Sequence, residues 1–191
     1  MTLKALMIIL ILSHNVPAKE YDPIINIAVE NCKNVKQPNI ENAKIIAKKL
    51  YDVEQKFDVP KKLKGMILAA ACLESGFNPG ARGDRKFSKS KKKPMAIGVL
   101  QMWPIYEKMY PGIDRTNPRQ AAEAWMSHIV KQIPKVKKRC KYKTPKKIWV
   151  AAWVTGIRYK KPGGRCKERP KHLRFLKKMH RIYNDKLNPA L

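Results

Sequence analysis

Apolar residues recur at three- and four-residue steps from position 40 onward. Ile40, Ala43, Ile46, Leu50, Val53 and Phe57 form one helical stripe, with Asn39 or Asn42 as its cap. Asp58 and Pro60 restart the chain, and "KKLKGMILAAACLES" reads as a helix that is apolar almost all round and stops at Gly76, a left-handed cap. Residues 76–97 read as loop, with Gly76, Pro79, Gly80, Gly83, Pro94 and the basic run "RKFSKSKKK". A further apolar segment, "MAIGVLQMWPIYEKMY", follows. Two helices then start on the same signal: Asn117 before Pro118 in "TNPRQAAEAWMSHIVKQI", and Thr144 before Pro145 in "KTPKKIWVAAWVTG". The amphipathic "RPKHLRFLKKMHRIYNDKL" is the last helix. Alternating, strand-like stretches are scarce, so the expected fold class is mainly α, in one domain.

The segment upstream has a different layout. "MTLK" is a basic start, "ALMIILIL" an apolar run, and Ala18 a small residue at a cleavage edge, the arrangement of an export signal over residues 1–18. The apolar run is too short to cross a bilayer core of about 30 Å. A secreted or periplasmic location and no transmembrane segment in the mature chain are expected. Residues 19–39 read as a loose N-terminal arm with a short helix, and 40–191 as the main domain. Export accords with four widely spaced cysteines, Cys32, Cys72, Cys140 and Cys166. Two disulfides are expected, with three possible connectivities; Cys140–Cys166, which brackets one helix, is the pairing expected first. No CxxC pair or His/Cys cluster suggests a zinc site, so no metal and no cofactor are expected.

Charge narrows the partners. Lys and Arg number 42 against 14 Asp and Glu, a formal net charge of +28 in 191 residues. Such an excess attracts polyanions: nucleic acid, acidic lipid or anionic cell-envelope polymers. Trp103, Trp125, Trp149 and Trp153 are compatible with nucleic-acid binding, but no recognition motif supports it, and no specific nucleic acid is expected. Residues 131–147, between two helices, hold nine Lys/Arg and no acid; they are a solvated surface or a contact for an anionic polymer.

Against this background Glu74 is out of place. It sits in the last turn of the most apolar helix, where the helix dipole and the apolar neighbours Ile67, Leu68, Ala71 and Leu73 both disfavour its charge. Both effects raise a carboxyl pKa, and a carboxyl kept protonated is what a general acid needs to protonate a glycosidic oxygen. The plainer reading is a surface Glu paired with a nearby Lys.

The surrounding pattern, "DVPKKLKGMILAAACLESGFNPGA", "AIGVLQMWP", "TNPRQAAEAW" and "AAWVTG", resembles the lytic transglycosylases and goose-type lysozymes over roughly residues 40–180. That resemblance implies a lysozyme-like fold and cleavage of the β-1,4 MurNAc–GlcNAc bond of peptidoglycan. It implies that Glu74 is the catalytic acid, followed by Ser75. It also implies that Gly98, Val99, Leu100 and Gln101, then Met102 and Pro104, line the sugar groove, with Gln101 bonding the glycan and Gly98 letting backbone approach it. The family's "AYNAG" motif falls on Ala152, Trp153, Val154, Thr155 and Gly156. Trp153 would replace the aromatic surface and Thr155 would offer a hydroxyl, while the amide is lost. A later family Tyr falls at His172.

A second acid separates two outcomes. Goose-type lysozymes carry an Asp in a "GDR" context, matched here by Gly83, Asp84 and Arg85. Asp84 would activate water in a hydrolase, or it is a turn residue neutralised by Arg82 or Arg85. In a transglycosylase the sugar's own C6 hydroxyl attacks instead. A non-catalytic protein that grips glycan or anionic polymer on the same fold is the alternative reading. No P-loop, GxGxxG or Ser-His-Asp arrangement is present, and His128, His172 and His180 read as packing or surface residues.

Overall fold

A computed structural model describes residues 21–35, 38–84, 95–140, 142–155 and 170–187. The segment read as an export signal lies outside the described residues, as do Arg85, the lysines of the loop after it, Gly156 and Cys166. The fold is mainly α: seven helices and one two-residue strand pair among the described residues. The helices are α1 (Pro23–Glu30), α2 (Ile40–Glu54), α3 (Met66–Ser75), α4 (Ile105–Met109), α5 (Pro118–Cys140), α6 (Pro145–Thr155) and α7 (Pro170–Leu187).

Helix α3 is the centre. Every residue from Met66 to Cys72 is buried, because α1, α2 and α7 all pack on it. This explains an apolar pattern without a polar face. Each buried Ile, Leu or Met contributes roughly 1.5–3 kcal/mol. Gly76 ends the helix in the left-handed region at φ +63°. A β-carbon there would fall 2.5 Å from the Asn34 carbonyl oxygen, so the position needs glycine for space as well as conformation.

Two expectations change. The short helix expected in the N-terminal segment is present as α1, but the segment packs against the core rather than forming a loose arm. Ile24, Ile25, Ile27, Ala28 and Val29 of α1 are buried, Asp22 caps the helix through the Ile24 amide, and Cys32 is disulfide-bonded to Cys72 of α3. Eight residues are too few for a helical period to show, so burial on nearly all sides looks like plain apolarity. Helix α5 also continues through Pro134 to Cys140, into the basic stretch expected to lie between two helices. Proline removes one amide from the ladder, but Ile133 packs against the core and Val136 is fully buried on the far side of the break, which holds the helix together. Cys140 is disulfide-bonded; its expected partner, Cys166, lies outside the described residues.

The antiparallel pair β1 (Arg82–Gly83) and β2 (Ala96–Ile97) brings the segment after α3 back to the segment before α4. Ile97 and Met102 then exchange both backbone hydrogen bonds, so "GVLQ" is the four-residue tip of a tight loop.

Candidate active site

The site is built at the C-terminal end of α3. The last carbonyls of a helix lack intrahelical partners. Here Asn34 donates its Nδ2–H to the Cys72 carbonyl at 3.0 Å, and the Cys32–Cys72 disulfide ties the same turn to the N-terminal segment. The turn that carries Glu74 is therefore fixed from outside the helix.

Glu74 keeps 30% of its side-chain surface open. It is less enclosed than its apolar sequence neighbours suggested, because Ile67, Leu68 and Ala71 point into the core on the other sides of α3 and Leu73 is only half-buried. Its Oε1 lies 3.1 Å from Nε2 of His172, near the start of α7. His172 is itself buried, and its Nδ1 has no hydrogen-bond partner among the described residues. With a hydrogen on Nε2 the ring donates to the Glu74 carboxylate. Trp153 packs edge-on against His172 at 5.1 Å and against Trp125 at 5.9 Å. The aromatic side chains stand behind the histidine and hold its orientation.

Ser75 faces inward. Its hydroxyl donates to the Val99 carbonyl at 2.8 Å and accepts from the Asn78 amide at 3.2 Å. It thereby clamps the "GVLQ" loop to the Glu74 turn. The loop's residues differ from the expected sugar contacts. Leu100 and Met102 are buried in the core and do not line a groove. Gly98, at φ +79°, meets the protein's own backbone: a β-carbon would fall 1.9 Å from the Arg115 carbonyl oxygen. The Arg115 guanidinium is buried and donates to the Met102 carbonyl at 2.6 Å and to Glu107 at 2.7 Å, which secures the loop from below. Gln101, at φ +47°, turns its Nε2–H onto the Gly98 carbonyl at 2.9 Å. Trp153 is a buried packing residue rather than an open stacking surface. The side chain of Thr155 lies outside the described residues.

Asp84 is exposed and accepts from the Trp103 indole N–H at 2.9 Å. Its partner is thus the indole of the segment after the loop, with no Arg82 pair among the described residues. Phe77, Asp84 and Gln101 are the non-glycine residues with left-handed φ among the described residues, and all three belong to this end of the molecule. Such strain persists only where surrounding contacts enforce it, and it gathers at functional sites.

Sequence reasoning undervalued two residues. His172, read as the counterpart of a family tyrosine and as a packing or surface residue, is the direct partner of Glu74 across 98 positions. Glu54 went unremarked. It is fully buried, accepting from the Gly65 amide at 2.5 Å and the Ile67 amide at 3.1 Å at the start of α3. Its signal was available: it lies four residues after Leu50 on the buried face of α2. Burial pushes its carboxyl up to about 7 despite those amides and Lys64. His128, buried against Tyr106, is pushed down to about 4 by burial and by Lys135 and Lys131. Among the described residues no three His, Cys, Asp or Glu side chains converge as a metal site.

No protein-family model matches the chain, no curated protein matches it, and no solved structure matches its fold.

Proposed function

We propose that the protein is a peptidoglycan glycosidase with a lysozyme-like fold, cutting the MurNAc–GlcNAc β-1,4 bond with Glu74 as general acid. The observation that carries this reading is the setting of Glu74: a solvent-reachable carboxyl at the end of a buried helix, with one oxygen held by an oriented histidine. An Nε2–H on Oε1 directs the carboxyl proton to Oε2. Glu74 gives that proton to the glycosidic oxygen as the bond to the anomeric carbon breaks. The resulting carboxylate then takes a proton from the attacking hydroxyl. If that hydroxyl is the sugar's own C6 group, an anhydro end forms; if it is water, with Asp84 helping to orient it, a reducing end forms. His172 is a positioning residue in both routes. The charge supports an exported enzyme retained on an anionic envelope, with turnover on whole walls falling as salt rises.

The second reading, a glycan or polyanion binder that does not cut, is favoured by one observation. Leu100, Met102 and the Gln101 amide are turned into the protein, which leaves fewer groups to grip a sugar.

Digestion of purified peptidoglycan with mass analysis of the ends decides among these. Anhydro ends mean transglycosylase, reducing ends mean hydrolase, and intact glycan that still sediments with the protein means binder. His172→Phe should lower turnover about tenfold to a hundredfold by losing the donor, and His172→Gln, which keeps an N–H, should recover part of it. Equal rates for wild type and His172→Phe would remove the positioning role.

A further inference from the structure

A pocket of about 290 Å³ lies along α7, between the Lys61–Leu63 turn and the first turn of α6. Glu74, His172 and Trp153 are not among its lining residues. Four cations converge on it from three elements: Lys62, Lys146, Lys177 and Arg181. Leu173 and Leu176 supply apolar wall, and both are buried. His180 donates its Nε2–H to the Lys64 carbonyl at 2.7 Å and so fixes α7 against the turn that carries Lys62.

The four cations are exposed side chains, and three elements place them around one concavity. Elsewhere Lys44, Lys48, Lys56 and Arg115 each meet a carboxylate, while Lys61 and Lys108, among the described residues, are in no ion pair either. Among the described residues none of the four pocket cations is in an ion pair. Asp185, one turn beyond Arg181, does not pair with it, and no carboxylate lines the pocket. Concave apolar walls focus the positive potential. A ligand that satisfies three elements at once needs several acceptor oxygens and more than one charge, which describes a phosphate better than a carboxylate. The volume exceeds that of a bare ion, since one water occupies about 30 Å³ in the liquid. The leucine wall would take the remainder.

We infer that this pocket binds a phosphate ester, with the phosphate on Lys62, Lys146, Lys177 and Arg181 and the organic body against Leu173 and Leu176. The inference is independent of whether Glu74 cuts glycan, and its test reads binding alone. Titrate the full chain with glycerol 3-phosphate at fixed ionic strength, following backbone amide shifts, with glycerate and glycerol as controls. Saturable shifts confined to α7, the 61–64 turn and the start of α6 are expected for the phosphate, at least about tenfold tighter than for glycerate. Lys177→Gln with Arg181→Gln should weaken binding about tenfold or more. Lys108→Gln with Arg119→Gln removes the same charge from exposed positions elsewhere and should change it less than twofold. Equal losses in the two double variants, or shifts that spread over the whole surface without saturating, would overturn the site. Vesicles of phosphatidylglycerol that displace glycerol 3-phosphate, where phosphatidylcholine vesicles do not, would place the ester on a lipid headgroup. Vesicles that leave the titration unchanged would place it on a soluble or polymer-borne ester; either result upholds the pocket.

Discussion

The two ends of α3 each hold a glutamate, and the two are built in opposite ways. At the start of the helix, Glu54 is sealed from solvent and takes hydrogen bonds from the Gly65 and Ile67 amides, groups that any helix start leaves unpartnered. At the end of the helix there are only carbonyls to meet a carboxylate, and they repel it. Glu74 turns outward instead and finds His172. The same helix, α7, serves both ends, with His180 on the Lys64 carbonyl and His172 on Glu74, eight residues or about 12 Å apart. The comparison teaches that burial and reactivity are separate properties. The more buried acid is a joint between α2 and α3, whereas the acid proposed for catalysis keeps a face to solvent.

The sharpest way to break the comparison is to neutralise each acid in turn. Glu74→Gln should lower peptidoglycan turnover by at least about a hundredfold while unfolding free energy stays within roughly 0.5 kcal/mol. Glu54→Gln should do the reverse, losing about 1–3 kcal/mol of stability while the folded protein keeps its rate. Turnover that survives Glu74→Gln would sink the catalytic assignment.

The clamp at the Glu74 end is the next largest effect. Replacing Cys32 and Cys72 by Ala opens a loop of 40 residues and should cost about 4 kcal/mol in a urea titration, by the chain-entropy relation. A loss below about 1 kcal/mol would mean that Asn34 and α1 hold this turn without the covalent link.

The pH dependence of stability comes third. Glu54 is raised from 4.5 to about 7, so its contribution is full below pH 4.5 and is lost as pH rises through 7. His128 is lowered from 6.5 to about 4, so its contribution is present above pH 6.5 and is lost as pH falls through 4. Each is worth roughly 3 kcal/mol, and the two nearly offset between pH 4.5 and 6.5. Glu54→Gln should expose a loss on acidification, and His128→Phe a loss on alkalinisation. Parallel stability curves for the two variants would contradict both assignments. The smallest effect expected is about 1 kcal/mol for Ser75→Ala, from loss of the Val99 clamp, read as a shift in the urea midpoint.

Much of this architecture is legible in the chain. Helices α2, α3, α5, α6 and α7 announce themselves by period and by Asn117, Pro118, Pro145 and Gly76 at their ends, because capping and periodicity are local. Glu74 is legible for the same reason: one residue contradicts its own helix. What is not legible is tertiary. Nothing local joins His172 to Glu74, or Cys32 to Cys72, and α1 is too short to show a face. The loop "GVLQ" shows the limit from the other side. Its residues suggested contacts to sugar, yet all four satisfy the protein's own interior or backbone.

The approach of Gly98 to the Arg115 carbonyl bears on how tolerance to substitution would be interpreted. In a saturation library read for the proposed wall clearing, position 98 would accept almost nothing, and position 74 almost nothing as well. Sorting the library by folded yield would reject variants at 98 and pass those at 74; sorting by wall clearing would reject both. The glycine's intolerance reports a packing constraint, and only the gap between the two sorts identifies chemistry.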